Sequence, residues 1–427
     1  ARLIATFHMS QPPVKGQAAA GAGSEALRRN WDDHFRVLEP LAGPVIPENE
    51  FRLVQSLVER YIDGREALFA ERIADGWVRD GHGDLRCEHV FCLDDGPRLI
   101  DCLAFRDDYR IVDVLNDVAF LAMDLHRLSG PQAAMSLVKH YDEFSNERHP
   151  PSLAHHYVAY RAYVRAKVAA IRFAQNQGEA EIVAEVLTFH KLALQHLLVG
   201  QPRLVLVGGG AGVGKSTVAD GLATRMSATW LRADEIRKAM AGLPADEHSF
   251  AGFESGIYTP EFSDRVYEEL LRQAELLLDR GESVVLDATW SSQARRELAR
   301  QLAQRTSSEL TELKCVAPPA VARERIASRM ASLHNPSDAT PEIADRLNAS
   351  SDEWPEATDV STNQPVARSI EEAYCRVMAG QPESANTPTP IQIEPFTLVQ
   401  ETIGLFLARV STGAFVSAPD RPAGREQ

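Results

Sequence analysis

A glycine-rich segment followed by Lys-Ser constrains the fold of this chain more than any other feature. Residues 209–216 read GGAGVGKS and fit the pattern GxxxxGK[ST], between an apolar segment at 203–207 and a helical pattern that continues to about 226. Glycines let backbone N–H groups surround phosphate oxygens, and the helix that follows directs the positive end of its dipole at them. We therefore predict a nucleotide-binding loop. The alternative is a glycine-rich turn that only packs a helix against a sheet.

The residue types in this loop also predict the nucleotide and its metal ion. The Lys215 ammonium can bridge the outer phosphates, and the Ser216 hydroxyl can bind Mg²⁺. We expect the chain to bind ATP with Mg²⁺ through the residues Gly209, Gly210, Ala211, Gly212, Val213, Gly214, Lys215, Ser216 and Thr217.

Residues 203–380 alternate between apolar strands and helical patterns, which is typical of a parallel α/β sheet. Beyond the strand before the glycine-rich loop, the sequence predicts strands at 228–232, 283–287 and 310–316. Residues 381–427 begin with a segment rich in Pro, Ser and Thr, which predicts an extended linker that can be followed by one more helix and a disordered tail.

The strand predicted at 283–287 ends in Asp287. An acid at the end of a strand near a phosphate loop can hold Mg²⁺ directly or through water. We therefore expect Asp287 to be a metal ligand beside Ser216. An aspartate that only caps the following helix is the alternative.

Asp234 ends the second predicted strand of this sheet and opens a helix. Ligands of parallel sheets bind at the carboxyl ends of the strands, so Asp234 can orient or deprotonate an acceptor hydroxyl beside the γ-phosphate. Arg237, one turn later, can hold a phosphate or the acceptor. A simple helix-capping role for Asp234 is the alternative.

Three arginines follow on one predicted helix, Arg323, Arg325 and Arg329. Their guanidinium groups can cover the transferring phosphoryl group as a lid and stabilise its charge. A solvated helix face explains their spacing nearly as well.

Together these segments resemble the P-loop small-molecule kinases of the gluconate kinase, shikimate kinase, zeta toxin and polynucleotide kinase type. The resemblance lies in GGAGVGKS, DEIR at 234–237, LDAT at 286–289 and the arginine-rich segment at 323–329. It implies phosphoryl transfer from ATP, with the acid at Asp234 acting on the acceptor hydroxyl and the lid arginines covering the nucleotide. The motifs do not name the acceptor.

Residues 1–200 have helical periodicity except for a β-hairpin around DDGP at 94–97. His82-Gly83-Asp84 and Asp101 resemble segments of aminoglycoside phosphotransferases and other kinase-like enzymes. The resemblance implies that Asp84 acts at an acceptor hydroxyl and Asp101 binds Mg²⁺, although His89 stands where the family has a metal-binding Asn. The glycine-rich β lobe of such kinases is absent from residues 1–80, and since the chain begins at Ala1 within a helical pattern, we expect residues upstream of it.

The predicted fold class is therefore α/β: a mostly helical kinase-like C-lobe with a β-hairpin over 1–200, then a P-loop NTPase domain with a parallel sheet over 203–380. This arrangement resembles actinobacterial bifunctional phosphotransferase/ATP-binding proteins. The sequence favours an ATP-dependent phosphotransferase acting on a small-molecule hydroxyl. Two alternatives stay open: a regulatory ATPase with a degenerate kinase-like sensor, and aminoglycoside or sugar phosphotransfer by the first domain in a longer chain.

Composition limits the partners and the compartment. The chain has 45 Lys and Arg against 60 Asp and Glu, a formal net charge of −15, which argues against nucleic acid as a partner but allows a local basic pocket. Five irregularly spaced cysteines do not form a disulfide framework, so a reducing cytoplasm is expected. No apolar run approaches the roughly 18 residues of a membrane span, and we expect no membrane partner.

Overall fold

The computed structural model describes residues 1–104, 106–175, 179–244, 256–330 and 351–379. The predicted linker, helix and tail at 381–427 lie outside the described residues. We call residues 2–199 the helical part and residues 203–379 the P-loop part.

The helical part consists of nine helices and two pairs of short strands within the described residues. Its large core lies among the longer helices, and the longest two, α8 and α9, pack along each other. The elements are α1 (Arg2–Ser10), α2 (Gln17–Ala20), α3 (Ser24–Leu38), α4 (Glu48–Asp63), α5 (Glu66–Ala74), β1 (Val78–Asp80), β2 (Val90–Leu93), β3 (Gly96–Leu99), β4 (Ile111–Asp113), α6 (Val114–Ser129), α7 (Pro131–Ser145), α8 (Pro151–Gln175) and α9 (Ala180–Val199).

The predicted hairpin is present as β2 and β3, which pair antiparallel. A second antiparallel pair, β1 with β4, was not predicted, because helical periodicity extends over both segments. Within this stretch of predicted helical periodicity, α5 ends at Ala74 and α6 begins at Val114. Three-residue strands are too short to show an alternation of apolar and polar residues, so only the pairing reveals them.

Helix α9 is the one helix of the described residues that is long and apolar enough to cross a membrane, with 20 residues and a mean hydropathy of 1.4. Charged residues such as Glu185 and Lys191 interrupt its apolar residues. More than half of the helix is buried, with Val186 and Phe189 in the core shared with α8. A core helix passes the same test of length and composition.

The P-loop part has a parallel five-stranded sheet in the order β6-β7-β5-β8-β9, as an α/β fold requires. All six residues of β5 are buried, because helices cover both faces of the sheet. Its elements are β5 (Arg203–Gly208), α10 (Lys215–Met226), β6 (Thr229–Arg232), α11 (Ala233–Met240), α12 (Pro260–Leu278), β7 (Val284–Asp287), α13 (Gln293–Arg305), β8 (Glu309–Val316), α14 (Pro319–Met330), β9 (Thr358–Ser361) and α15 (Val366–Met378).

Strand β9 was not predicted. Its sequence, TDVS, contains a single buried apolar residue, Val360, so it lacks the apolar run that marks the other strands. It forms the edge of the sheet beside β8.

The helical part packs against the amino-terminal edge of this sheet. Arg65, between α4 and α5, donates to the carbonyl of Thr306, just before β8, at 2.6 Å. The Ser152 hydroxyl on α8 donates to the carbonyl of Gly281, just before β7, at 2.7 Å. The carboxyl ends of the strands, where ligands of parallel sheets bind, therefore face away from this contact.

Candidate functional site

The predicted phosphate loop lies at the carboxyl end of the central strand β5 and leads directly into α10. It borders a cavity of about 600 Å³ whose lining includes Lys215, Ser216, Arg232, Asp234 and Arg325. The amino-terminal end of α10 supplies backbone N–H groups at this place, and they attract anions. Of the nine residues predicted to hold the nucleotide, Gly212 and those from Gly214 to Thr217 line the cavity.

Two glycines of the loop lie so close to neighbouring backbone atoms that a side chain would not fit there. Gly209 has φ +129°, and a Cβ there would lie 2.6 Å from the carbonyl oxygen of Cys315 on β8. Gly212 has φ +79°, and a Cβ there would lie 2.4 Å from the carbonyl oxygen of Ala322 on α14. A side chain at either place would push the loop away from its neighbours, so these glycines fix its shape.

Asp287, the last residue of β7, has its side chain beside the loop and is 5% exposed. Burial raises the pKa of this carboxyl group, while Lys215 and a hydrogen bond with Ser216 act in the opposite direction. Its Oδ1 atom is buried and accepts no hydrogen bond from the described residues. A buried carboxylate oxygen without a donor, next to a serine hydroxyl, fits the oxygen ligands that Mg²⁺ prefers.

Asp234 lies in the first turn of α11, where the chain leaves β6, and it lines the same cavity. The residue at the cap position of this helix is Arg232, two residues before Asp234, so Asp234 does not occupy the position that the helix-capping alternative assigns to it. The structure therefore brings Asp234 into one cavity with Lys215 and Ser216.

Arg237 is buried and directed at protein groups. Its Nη1 donates to the carbonyl of Ile257 at 2.9 Å and to the Ser263 hydroxyl at 3.1 Å, and its guanidinium lies over the Tyr258 ring. These bonds connect α11 with the start of α12. Arg237 thus stabilises the protein scaffold through these contacts, and its contact with a ligand stays a prediction.

Arg325 on α14 lines the cavity, and its N–H groups donate to protein oxygens in the wall of the cavity. It donates to the carbonyl and the hydroxyl of Thr362 at 2.7 and 3.2 Å and lies 3.4 Å from the carbonyl of Val213. Arg323 is exposed on the same helix and is not among the residues that line the cavity. The side chain of Arg329 lies outside the described part of the chain.

Arg232 and Thr362 are among the residues of this cavity that sequence reasoning did not identify. Arg232 ends β6, two residues before Asp234, and its position at a strand end was a signal that could have identified it. Thr362 follows the unpredicted strand β9 and gave no such signal.

In the helical part, the Asp84 carboxylate receives a bidentate ion pair from Arg86, at 2.9 and 2.8 Å. The imidazole Nδ1 of His89 lies 2.7 Å from the Asp84 carbonyl, and its Nε2 lies 3.4 Å from Asp101 Oδ2. Asp84, His89 and Asp101 are thus neighbours, and the roles that the resemblance implies for them stay predictions. The Asp101 side chain is 77% exposed, and the described residues contain no group of three such side chains placed to hold a metal ion.

The loop that carries His82-Gly83-Asp84 is held by Asp117 on α6, which sequence reasoning did not identify. The fully buried carboxylate of Asp117 accepts the backbone N–H groups of His82 and Gly83 at 2.6 and 2.9 Å. Its Oδ2 also lies 3.1 Å from His8 Nε2. Burial acts to raise the pKa of Asp117, but these hydrogen bonds and the charge of His8 lower it to about 2.

Comparison with known proteins identifies relatives along most of the chain. A family profile described as an AAA domain matches residues 204–353. The uncharacterized protein Rv2004c of Mycobacterium tuberculosis (strain ATCC 25618 / H37Rv) is 37% identical over 377 residues, which cover 88% of this chain and 74% of the relative. The uncharacterized protein Mb2027c of Mycobacterium bovis matches with the same values. The chain belongs to the family of these mycobacterial proteins.

Part of this chain also resembles solved structures, at low sequence identity. A gluconokinase from Sinorhizobium meliloti 1021 is 18% identical, covering 42% of this chain and 93% of its own, with a TM-score of 0.31. The APS kinase CysC of Mycobacterium tuberculosis, in complex with AMPPNP and APS, is 18% identical, covering 42% of this chain and 99% of its own, with a TM-score of 0.32. Such values do not indicate what this chain acts on.

Proposed function

We propose that this protein is an ATP-dependent phosphotransferase that moves the γ-phosphoryl group to a hydroxyl of a small molecule. The observation that carries the proposal is the convergence of Lys215, Ser216 and Asp234 on one cavity, with Asp287 hydrogen-bonded to Ser216 beside it. The match to an AAA domain over the same residues supports nucleotide binding. The hypothesis that the helical part resembles aminoglycoside phosphotransferases stays a prediction.

Each side chain has a task in an in-line transfer. Lys215 and the N–H groups at the start of α10 bind the outer phosphates of ATP and neutralise charge that develops there. Ser216 and Asp287 would hold Mg²⁺, which shields the phosphate oxygens when bound. Asp234 accepts the proton of the acceptor hydroxyl as its oxygen bonds to the γ-phosphorus. The bond from that phosphorus to the β,γ-bridging oxygen breaks, and ADP leaves.

Asp234 is the residue that favours phosphotransfer to an acceptor over simple ATP hydrolysis. A carboxylate at the end of β6, on the far side of Asp287 from the loop, gives a second substrate a polar group to bind. A regulatory ATPase would need only the loop and Asp287. The rate of phosphate transfer in the presence of an acceptor therefore distinguishes the two functions.

The test measures the transfer of labelled γ-phosphate from MgATP to pooled sugars, sugar acids, aminoglycosides and nucleosides. We expect Lys215→Ala to lower transfer at least about a hundredfold, because it removes charge from the transition state. Asp234→Asn should leave MgATP affinity within about twofold and lower transfer by about 10²- to 10⁴-fold. Asp84→Ala is the control in the helical part and should transfer as the wild type does. Free phosphate alone, with no labelled acceptor, would indicate the regulatory ATPase.

A further inference from the structure

Three histidines from three helices of the helical part form one hydrogen-bonded cluster. The Nδ1 atom of His126 on α6 lies 2.8 Å from Nε2 of His196 on α9, and the Nδ1 atom of His155 on α8 lies 2.8 Å from Nδ1 of His196. A neutral imidazole has one N–H donor and one acceptor nitrogen. His196 therefore donates to one neighbour and accepts from the other, so both hydrogen bonds form while all three rings are neutral.

The surroundings of this histidine cluster favour the neutral rings. Burial lowers the pKa of His126, lowers the pKa of His155 to about 4, and lowers the pKa of His196 far below its ordinary value. The charges that act on His155 and His196 are those of the other histidines in the cluster and of His149, and each of them lowers the pKa further. His126 is half-buried, so a proton from solvent can reach the cluster at that end.

The histidine cluster lies against residues 200–202, the segment that connects the helical part to the P-loop part. The backbone N–H of Gly200 donates to the His196 carbonyl at 2.8 Å, and a Cβ at Gly200 would lie 2.5 Å from the Cβ of His155. The Pro202 carbonyl then accepts the backbone N–H of Glu309, the first residue of β8, at 2.9 Å. The connecting segment is thus packed on the histidines and bonded to the sheet.

Other ionisable groups face the cluster at this joint. His196 lines a small cavity there together with Arg60, Tyr61, His156 and Glu309. His156 stacks on the Tyr61 ring with centroids 4.3 Å apart, and burial lowers the pKa of His156 to about 3 and raises that of Tyr61 to about 12, so both are neutral at pH 7. Glu309 is the one acid among the described residues that line this cavity, and it already pairs with Arg60 at 3.3 Å. A charge on His196 would therefore meet no unpaired carboxylate at the cavity.

The two hydrogen bonds define how many protons the cluster accepts before it breaks. Each bond holds one proton between two rings, and the Nε2 atoms of His126 and His155 form the two ends of the chain. The neutral cluster has a proton in both bonds and at one end. A first added proton fills the other end and leaves both bonds intact. A second added proton places two N–H groups face to face, so one bond breaks and two charged rings repel each other.

We propose that the histidine cluster is an acid-sensitive switch between the two parts of the chain. While it is neutral, it holds residues 200–202 against the sheet, and when it is doubly protonated, it releases them. Histidines that bind protons more weakly in the folded joint than in the open one stabilise the joint at neutral pH, and this stabilisation is lost as the pH falls below about 6.5. The joint lies at the amino-terminal edge of the sheet, away from the phosphate loop, so the proposal does not depend on phosphotransfer.

Hydrogen–deuterium exchange of the full chain at about pH 7.5 and about pH 5, with rates corrected for the intrinsic effect of pH, tests this proposal. We expect the protection of peptides covering 194–203 to fall at least about tenfold at the lower pH, because each extra proton bound by the open joint raises its population by up to about tenfold per pH unit. Protection of β7 should change less than about threefold.

The double variant His126→Asn/His155→Asn should lose this response. An asparagine amide near the place of Nδ1 can bond to His196 but takes up no proton, so the variant cannot reach the doubly charged state. The single variant His126→Asn should respond less than the wild type, and it keeps the test decisive if the double variant does not fold. His140→Asn is the matched control, because His140 is exposed on α7 and its ring bonds to Ser136 of the same helix. It should respond as the wild type does.

Three results would overturn the proposal. The first is unchanged protection of 194–203 at about pH 5. The second is an equal loss of protection in β7, which would show acid unfolding of the whole chain. The third is a wild-type response that persists in both asparagine variants, which would assign the acid sensitivity to other histidines, such as His156.

Discussion

At the scale of single residues, Thr362 connects three segments that surround the nucleotide cavity. Its buried hydroxyl lies 2.5 Å from the carbonyl of Val213 in the phosphate loop and 3.2 Å from that of Val316 at the end of β8. Arg325 of α14 donates to the same hydroxyl and to the Thr362 carbonyl. The threonine therefore holds the phosphate loop in position through hydrogen bonds to protein groups.

We predict that Thr362→Val weakens MgATP binding about tenfold, because the Val213 carbonyl and an Arg325 donor lose a buried partner at a cost of about 1–2 kcal/mol. The dissociation constant measured by calorimetry and the split between KM and kcat should show it: KM for ATP rises while kcat changes less. Thr362→Ser keeps the hydroxyl and should restore the affinity.

The control for this substitution is Thr188→Val, since Thr188 lies exposed on α9 and its hydroxyl bonds only within that helix. An unchanged ATP affinity in Thr362→Val would show that the loop keeps its shape without this hydroxyl. An equal loss in Thr362→Ser would indicate a packing defect instead.

At the scale of elements, α6 organises the loop that carries Asp84. Asp117 on this helix accepts two consecutive backbone N–H groups, and a Cβ at Gly81 would lie 2.8 Å from its Oδ2. The loop is therefore fixed by one buried carboxylate, while Asp84 itself is paired with Arg86. This explains how the loop keeps its shape.

We expect Asp117→Asn to lower the free energy of unfolding of the helical part by roughly 3 kcal/mol at pH 7, since it breaks a buried, hydrogen-bonded charge pair. The folded-state pKa of about 2 lies below the ordinary value of 3.8, so the ionised carboxylate stabilises the fold at neutral pH. That stabilisation decreases as the pH falls from about 4 towards 2, and the variant and wild type should then converge.

Denaturant unfolding at several pH values, followed by tryptophan fluorescence and circular dichroism, checks this. Asp107→Asn is the control, because the Asp107 side chain is 73% exposed in its pair with Arg110, and its effect should stay within about 0.5 kcal/mol. A difference between Asp117→Asn and the wild type that does not change with pH would contradict the assigned role.

At the scale of the whole molecule, the helical and P-loop parts are joined through buried contacts. Arg65 is fully buried, and it donates to the carbonyls of Gly64 and Thr306 and to the Ser308 hydroxyl. Burial lowers the pKa of Arg65 to about 10, although Tyr61 and Asp279 oppose the shift. A Cβ at Gly64 would lie 2.5 Å from the Thr306 carbonyl oxygen, so the two backbones meet closely. Such a joint should make the parts unfold together.

Arg65→Ala should separate unfolding into two transitions, because it leaves the Thr306 carbonyl and the Ser308 hydroxyl without their buried donor, at about 2–4 kcal/mol. Calorimetry with and without MgATP measures this: the nucleotide should raise the Tm of the whole wild-type chain and of only one transition in the variant.

Arg60→Ala provides the matched comparison. Arg60 reaches across the same joint to Glu309 at 3.3 Å, but both side chains are 43% exposed, and an exposed ion pair contributes about 0–1 kcal/mol. This variant should keep a single transition. Two transitions in the wild type, or one transition in Arg65→Ala, would show that the joint does not couple the parts.

The parallel sheet and the position of the phosphate loop were predictable from the sequence. Both depend on interactions within a few residues: apolar runs that form buried strands, glycines with positive φ, and a helix that starts at Lys215. The position of Asp234 at a strand end was predictable for the same reason. The strands β1, β4 and β9 were not, because they are short and depend on their pairing partners.

The acceptors that the arginines contact depend on long-range packing and were not predictable. Arg237 and Arg325 were predicted to bind substrate, but their donors reach acceptors 20 and 37 residues away along the chain, Ile257 and Thr362. Arg232 was overlooked, and the Nε atoms of both Arg232 and Arg237 lack a protein acceptor among the described residues. A long side chain can turn towards a ligand or towards the protein, and the choice depends on which oxygen atoms folding brings within about 3 Å. That information is not contained in the local sequence.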